Sequence, residues 1–204
     1  MSTIVNFNMV KIFSLPIILY VVLITVRMQG LQPLMEGKLG DFITALNFLF
    51  GSFVSYFVFV FYVLNTKVLS KTKVLWWWMM CILLAVIAFD ELFMIHENIG
   101  YFFDNSGSLV FAFYGIFLGV LLVFDLNATF EKDTLIFLIL FSFFAIFSQG
   151  ADYFYGEGLV VIMGRDISYE QFAESFGALC LSCAIVTIAI RQLSSNESNV
   201  SIAY

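Results

Sequence analysis

Charged residues are scarce in this chain: they make up 12% of its 204 residues, whereas 62% of the residues are hydrophobic. A soluble domain has roughly a quarter of its residues charged. Acidic residues outnumber basic ones by fifteen to nine, and the net charge of −6 argues against a basic nucleic-acid-binding face. The composition therefore indicates a membrane protein, and we expect no direct binding of nucleic acid.

Cysteine and histidine are also rare: the chain has three cysteines and one histidine. Cys81, Cys180 and Cys183 all lie in apolar runs, so they are typical of small packing residues and imply no disulfide framework. The single histidine, His96, excludes a zinc centre built from three histidines. Any metal site in this chain must therefore be rich in carboxylates.

Apolar runs recur along the chain, most of them near the length of about 20 residues that a helix needs to cross a bilayer. Such unbroken runs argue against an outer-membrane barrel, whose strands alternate. We predict an all-α fold: a polytopic transmembrane helical bundle of about six spans. Residues 1–191 form this single bundle, and residues 192–204 form a polar, disordered tail. The six predicted spans are approximately 10–26, 42–64, 74–97, 109–124, 134–149 and 169–191.

The distribution of basic residues predicts the orientation of the bundle. The loop 65–73 is the most basic short loop, so the positive-inside rule places it in the cytoplasm. Alternation of six spans then places both termini in the cytoplasm of a multi-pass protein of the cell inner (plasma) membrane. Three consecutive tryptophans, Trp76 to Trp78, follow this loop and are typical of an interfacial aromatic belt. Six basic residues then lie inside and three outside: Lys11, Lys67, Lys71, Lys73, Lys132 and Arg191 against Arg27, Lys38 and Arg165.

Small residues at helical spacing occur in two of the runs. Asn47, Gly51 and Ser55 recur every four residues in the second run, a seam that favours close contact with another helix. Gly115 and Gly119 form a GxxxG pattern in the fourth run, which indicates that two helix backbones approach there. Packing is the predicted role of both patterns.

The only histidine lies beside three carboxylates at the outer end of the third run. Ionisable side chains are costly inside a bilayer, so their presence there suggests that they have a functional role. On one continuous helix, Asp90, Met94 and Glu97 share a face, and Glu91 and His96 flank it on opposite sides. At least one of these faces must point into the bundle or a wet cavity.

Further acids are expected at the same outer level of the bundle. Asp152 closes the fifth run, and Glu170 and Glu174 lie four residues apart at the start of the sixth. Small residues continue the face of those two glutamates, which indicates that they point toward another helix. We predict a cluster that binds or relays a cation or proton, formed by Asp90, Glu91, His96, Glu97, Asp152, Glu170 and Glu174.

A divalent metal is a candidate cofactor for this cluster, with Asp90, Glu91 and His96 as its ligands. A carboxylate-rich site with one imidazole suits hard ions such as Mn, Mg, Ca or Fe. The Glu-x-x-His pairs of di-iron bundles are not present. A structural hydrogen-bond network, or acids that simply mark helix ends, is the alternative that the sequence leaves open.

Two other function classes remain beside the cation-binding bundle. A membrane-embedded metal-dependent hydrolase would use the carboxylates and His96. The sequence favours a non-enzymatic role, because no nucleophile motif occurs and ceramidase-like membrane hydrolases use several histidines. We predict no catalytic residue.

The third class rests on a resemblance. In size, number of spans and a Phe-, Ile- and Asn-rich composition, the chain resembles the small multi-pass accessory membrane proteins of type VI-B CRISPR systems. This resemblance implies an accessory protein of antiviral defence that modulates an RNA-guided RNase. The partners expected across the three classes are membrane lipids, a second copy of the chain, or another membrane or cytoplasmic protein.

Overall fold

A computed structural model describes residues 40–64, 71–96, 99, 108–124, 131–155, 159–162 and 165–200, with side chains described at 41–64, 71–96, 99, 109–124, 131–150 and 171–194. Five helices and one β-hairpin account for nearly all of these residues. In chain order they are α1 (Gly40–Leu64), α2 (Lys71–Phe93), α3 (Ser108–Phe124), α4 (Lys132–Tyr155), β1 (Leu159–Ile162), β2 (Arg165–Ser168) and α5 (Tyr169–Val200).

Four of the described helices are long and apolar enough to cross a bilayer. α3 has 17 residues, which corresponds to about 26 Å at about 1.5 Å per residue, somewhat less than a hydrocarbon core of about 30 Å. The predicted helical membrane fold is therefore confirmed at this level, whereas six spans are not shown, since the predicted span 10–26 lies outside the described residues. The four spanning stretches are Asp41–Leu64, Lys71–Phe93, Lys132–Gly150 and Gln171–Ser194.

α5 is the central helix of the bundle. In its spanning stretch 72% of the residues are buried inside the protein, against 22–39% in the other three. α1 packs on both α2 and α5, α4 packs on α5, and α3 contacts α2. Small residues on α5 allow this close approach: a Cβ added at Gly177 would lie 3.4 Å from Phe144 Cβ on α4.

The predicted small-residue seam of α1 does lie in a helix contact. A Cβ added at Gly51 would lie 3.1 Å from Leu84 Cδ1 on α2 and 3.2 Å from Ser182 Oγ on α5. The Ser182 hydroxyl donates to the Asn47 carbonyl oxygen at 2.5 Å, and the Asn47 amide donates to the Ser175 carbonyl oxygen at 3.2 Å. These interhelical hydrogen bonds hold the register of α1 on α5.

The opposite end of the bundle is closed by the last turns of α5. Gln192 is only 6% exposed, and its Oε1 accepts hydrogen bonds from the Tyr62 hydroxyl at 3.2 Å and Trp77 Nε1 at 3.0 Å. α5 therefore extends beyond the predicted boundary at residue 191 and continues to Val200. The reason is that two buried donors on α1 and α2 require a polar acceptor, so Gln192 belongs to the bundle.

The three tryptophans divide between the core and the surface. Trp76 and Trp77 are buried at 5% and 0% exposure, and only Trp78, at 42%, lies on the surface. Trp76 Nε1 donates to the Leu121 carbonyl oxygen on α3 at 2.6 Å. Only Trp78 therefore has the exposure that an interfacial belt requires, and its two neighbours fasten α2 to α3 and α5.

The hairpin between α4 and α5 was not predicted. β1 and β2 pair antiparallel, with Val160 opposite Ile167 and Ile162 opposite Arg165. From its polar residues and glycines we had predicted a polar connection here, and strands of only four residues each give little sequence signal. It is an exception to the predicted all-α class.

Candidate functional site

Three carboxylates from three different helices meet at one end of the bundle. Asp41 lies in the first turn of α1, Glu91 near the end of α2, and Glu174 in the second turn of α5. α1 and α5 begin at the end where α2 finishes, so these distant positions share one level. One oxygen of each residue lies within 4.8 Å of the other two. We refer to Asp41, Glu91 and Glu174 as the carboxylate triad.

The geometry of the triad leaves room for one small cation between its oxygens. With every pair at most 4.8 Å apart, one point lies within about 2.8 Å of all three oxygens (4.8 Å divided by √3). Two ionised carboxylates at 4.8 Å repel by about 3.5 kcal/mol at an effective dielectric constant of about 20. Glu91 is only 4% exposed, so water screens it poorly. Nearby positive charge or protonation therefore lowers the free energy of the triad.

The hydroxyl groups of two neighbouring helices border the triad. Ser148 of α4 donates a hydrogen bond to Glu174 Oε1 at 3.0 Å, which directs this carboxylate toward α4. On the other side, Thr44 of α1 lies one turn beyond Asp41 and shares a 2.9 Å hydrogen bond with the Ser175 hydroxyl. These contacts fix the helix ends that carry Asp41 and Glu174.

Beside the triad, Asp90 and His96 form a buried pair. α2 ends at Phe93, and Met94 has φ of 50°, the left-handed conformation that often follows a helix end. The His96 backbone N–H donates to Asp90 Oδ1 at 2.6 Å. His96 Nδ1 lies 3.2 Å from the same oxygen. The predicted continuous helix to residue 97 is therefore interrupted at Met94, and the positive φ there accompanies the contact of His96 with Asp90.

α3 packs against this pair. The His96 ring lies 4.6 Å from the Phe111 ring, centroid to centroid. The Tyr114 side chain interacts with the Asp90 carboxylate and also lies in the electrostatic field of Glu91. Asp90 is 1% exposed. Asp90 and Glu91 point in different directions because successive helical residues differ by about 100°.

The structure brings some of the predicted site residues together and separates others. Glu91 and Glu174 are in the triad, whereas Asp90 and His96 form the adjacent pair. Among the described side chains, the group with metal-ligand separations is the triad, which shares only Glu91 with the predicted metal ligands Asp90, Glu91 and His96. Glu97 lies outside the described residues, and so do the side chains of Asp152 and Glu170.

Asp41 is the site residue that sequence reasoning missed. The sequence did contain a signal for Asp41. Because successive spans cross the membrane in alternating directions, the start of the second run lies at the same outer level as Glu91 and Glu174. Asp41 was assigned to the preceding loop because it comes directly before the apolar run. In the structure it is half-buried in the first turn of α1, where an acid also interacts favourably with the helix dipole.

A cavity of about 640 Å³ extends from the triad along the bundle. Glu91 and Glu174 line its polar end together with Ser148, and apolar side chains of α3 and α4 form its long walls. Small residues of α5, including Ala173 and Gly177, form its floor. The cavity is therefore polar at the triad and apolar elsewhere.

The cavity opens sideways between α3 and α4. Ala112 on α3 and Ile146 on α4 both line it and are exposed. Gly115 and Gly119 line it too, and a Cβ added at either would meet no atom within 4 Å. Within the described residues, the GxxxG pattern thus faces open space, where we had predicted a close helix contact. We refer to this opening as the α3–α4 cleft.

These features define a helical membrane protein with a carboxylate cluster at one end of its bundle and an apolar cavity leading away from it. The chain matches the family described as a domain of unknown function, DUF8692, over residues 15–189, so it belongs to that family. No curated protein and no solved structure matches it. The resemblance to type VI-B CRISPR accessory proteins stays a prediction, and so do the expected protein partners.

Proposed function

We propose that this protein is a multi-pass membrane protein that binds a cation at the carboxylate triad. The observation that carries this proposal is the convergence of Asp41, Glu91 and Glu174, from three helices, to within 4.8 Å. Carboxylates with the same charge do not gather at a poorly hydrated helix end without a positive counterpart. A cation between them removes their mutual repulsion and links α1, α2 and α5.

The separations of the triad oxygens, at most 4.8 Å, are compatible with Ca²⁺. Ca²⁺ is bound by oxygen atoms at about 2.3–2.6 Å in flexible geometry, whereas Mg²⁺ requires about 2.0–2.1 Å in a strict octahedron. The point within about 2.8 Å of the three oxygens (4.8 Å divided by √3) needs only a small inward shift for Ca²⁺. The carboxylates supply three oxygen ligands, and the Ser148 hydroxyl and water are available for the remaining coordination positions of the ion.

The described basic side chains support an orientation in which the triad faces the non-cytoplasmic side. Lys71 and Lys73 begin α2, Lys132 begins α4, and Arg191 lies near the end of α5, all at the end of the bundle opposite the triad. The positive-inside rule assigns that end to the cytoplasm. Together with a first span at 10–26, this gives six spans with both termini in the cytoplasm of the inner membrane. Reporter fusions after residue 204 test this: a C-terminal fluorescent protein is expected to fold, and a C-terminal alkaline phosphatase to be inactive.

Direct ion titration tests the proposed site. We expect the detergent-purified chain to bind one Ca²⁺ per copy by calorimetry, and one Mn²⁺ by electron paramagnetic resonance. Glu91→Gln keeps the shape of the side chain and removes its charge. We therefore expect it to lower the affinity for Ca²⁺ and for Mn²⁺ at least about tenfold, which corresponds to about 1.4 kcal/mol.

Glu131→Gln is the matched control, because it removes the same charge at the opposite end of the bundle, where Glu131 pairs with Arg191. It is expected to change ion affinity less than about twofold. The proposal is rejected if the wild-type chain binds neither ion, or if Glu131→Gln weakens binding as much as Glu91→Gln does.

A further inference from the structure

The α3–α4 cleft separates two helices that have few neighbours in the bundle. Among the described elements, α3 packs on α2 and α4 packs on α5, and no comparable contact joins α3 to α4. The spanning stretch of α4 is also the least buried of the four, at 22%. A packed protein interior leaves few voids larger than a water molecule, whereas the cavity behind the cleft measures about 640 Å³. The cleft therefore has room for several large apolar side chains.

We propose that the predicted first span, residues 10–26, packs in the α3–α4 cleft and closes the wall of the cavity there. Residues 1–39 precede α1, so this segment is tethered to the bundle. It supplies the helix partner that the GxxxG pattern of α3 predicts. Packing of residues 10–26 in the cleft requires no cation at the triad, so either proposal can fail without the other.

The start of α1 lies beside the cleft. Thr44 and Phe48, within the first nine residues of α1, line the same cavity. Residues 27–39 link the predicted span to α1, and these 13 residues reach up to about 43–47 Å when extended. Neighbouring helix axes lie only about 8–10 Å apart, and consecutive elements of a chain are usually neighbours in space. The link is therefore long enough to place residues 10–26 in the cleft.

The length and direction of the segment match those of α3. Residues 10–26 number 17, as α3 does, so each corresponds to about 26 Å of helix. Two short spans side by side share one local bilayer thickness, which limits hydrophobic mismatch. Because α1 and α3 both begin at the triad end, residue 26 lies at that end and the segment runs antiparallel to α3. Residue 26 then lies level with Ser108, and Leu19 lies level with Gly115.

The shape of the segment complements the cleft. Residues 10–26 contain neither glycine nor alanine, whereas Gly115 and Gly119 leave open space on α3. Between helices in lipid, van der Waals fit of this kind drives association, because lipid tails are as apolar as the side chains. A helix of a second copy would lose translational freedom on binding. A tethered segment has an effective concentration of the order of mM, which favours the chain's own span.

Disulfide cross-linking of the full chain in phosphatidylcholine nanodiscs tests this proposal. Gly115→Cys adds a small side chain in open space, so the fold is expected to persist, and circular dichroism checks it. Cys81→Ala removes the other thiol from the tryptic peptide that contains position 115. Four partner substitutions cover one helical turn at the level of position 115 and are combined with Gly115→Cys one at a time: Ile17→Cys, Ile18→Cys, Leu19→Cys and Tyr20→Cys.

After oxidation with copper phenanthroline and digestion with trypsin, mass spectrometry identifies the linked peptides. We expect at least one of the four pairs to form a disulfide, and in a mixture of ¹⁴N- and ¹⁵N-labelled chains both peptides should carry the same label. Phe113→Cys is the matched control for Gly115→Cys, because Phe113 is 66% exposed on α3 and does not line the cavity. It should give at least about fivefold less disulfide, since positions 113 and 115 differ by about 160° around the helix.

Three results would overturn the proposal. Linked peptides that carry different labels would show that a second copy fills the cleft. Equal yields from Phe113→Cys and Gly115→Cys would show that the segment moves freely around α3. Absence of a disulfide at all four positions would place residues 10–26 elsewhere, and reaction of the position-115 thiol with an apolar maleimide would then assign the cleft to lipid chains.

Discussion

Replacing Gln192 by leucine tests how the end of the bundle opposite the triad is held together. Gln192 Oε1 accepts hydrogen bonds from the Tyr62 hydroxyl of α1 and the Trp77 indole N–H of α2. Both donors are buried, with Tyr62 at 1% and Trp77 at 0% exposure. Leucine has a similar length and no acceptor, so Gln192→Leu removes this shared acceptor without opening a large void.

The expected loss of stability follows from these two contacts. A buried donor that loses its acceptor costs about 1–3 kcal/mol. Because one oxygen serves both donors, the two costs are coupled, and we expect Gln192→Leu to lower the free energy of unfolding by about 2–4 kcal/mol. Unfolding by SDS in mixed micelles, followed by far-ultraviolet circular dichroism, measures this change.

A second substitution isolates the mechanism. Replacing both partners of a buried hydrogen bond by apolar groups is nearly neutral, so adding Tyr62→Phe to Gln192→Leu should recover about 1 kcal/mol of stability. Ser194→Ala, two residues further along α5 at an exposed position, should change stability by less than about 0.5 kcal/mol. The reasoning is refuted if Gln192→Leu unfolds at the wild-type SDS fraction, or if Tyr62→Phe lowers stability further in the Gln192→Leu background.

Three glycine-related substitutions probe other parts of the bundle by the same unfolding assay. Gly51→Ala should destabilise the protein by about 1–3 kcal/mol, since the new Cβ would lie 3.1 Å from Leu84 Cδ1 and 3.2 Å from Ser182 Oγ; an unchanged midpoint would contradict the observed packing. Gly119→Ala, its control on α3, meets no atom within 4 Å and should be neutral or stabilising by up to about 1 kcal/mol through helix propensity. Met94→Gly should stabilise by about 1 kcal/mol, because φ of 50° costs about that much for a residue with a side chain; a clear loss of stability would show that the Met94 side chain matters more than its backbone.

The helices could be predicted from the sequence because hydrophobic length is a local property. The run predicted at 42–64 corresponds to α1, and the run at 109–124 corresponds to α3. Their ends were harder to predict, because tertiary contacts determine them. From the sequence, Gln192 is typical of a polar tail, and its hydrogen bonds with buried donors appear only in the structure. Met94 likewise looks like part of a continuous helix, and its positive φ appears only in the structure.

The site could be predicted only in part, for a similar reason. Alternation of the spans predicts which end of the bundle each acid occupies, and Glu91 and Glu174 indeed meet there. Alternation does not predict which helices are neighbours, so the inclusion of Asp41 required the packing of α1 between α2 and α5. The early end of α2 also could not be predicted, and it places His96 directly against Asp90.

The two ends of the bundle differ in their charged side chains. At the α5 C-terminal end, Arg191 pairs with both Glu131 and Asp133. At the other end, His96 lies against Asp90, and the carboxylate triad brings three carboxylate oxygens within 4.8 Å of one another. Acidic side chains therefore predominate among the described residues of the triad end, and that is the sign of charge that the proposed cation site requires.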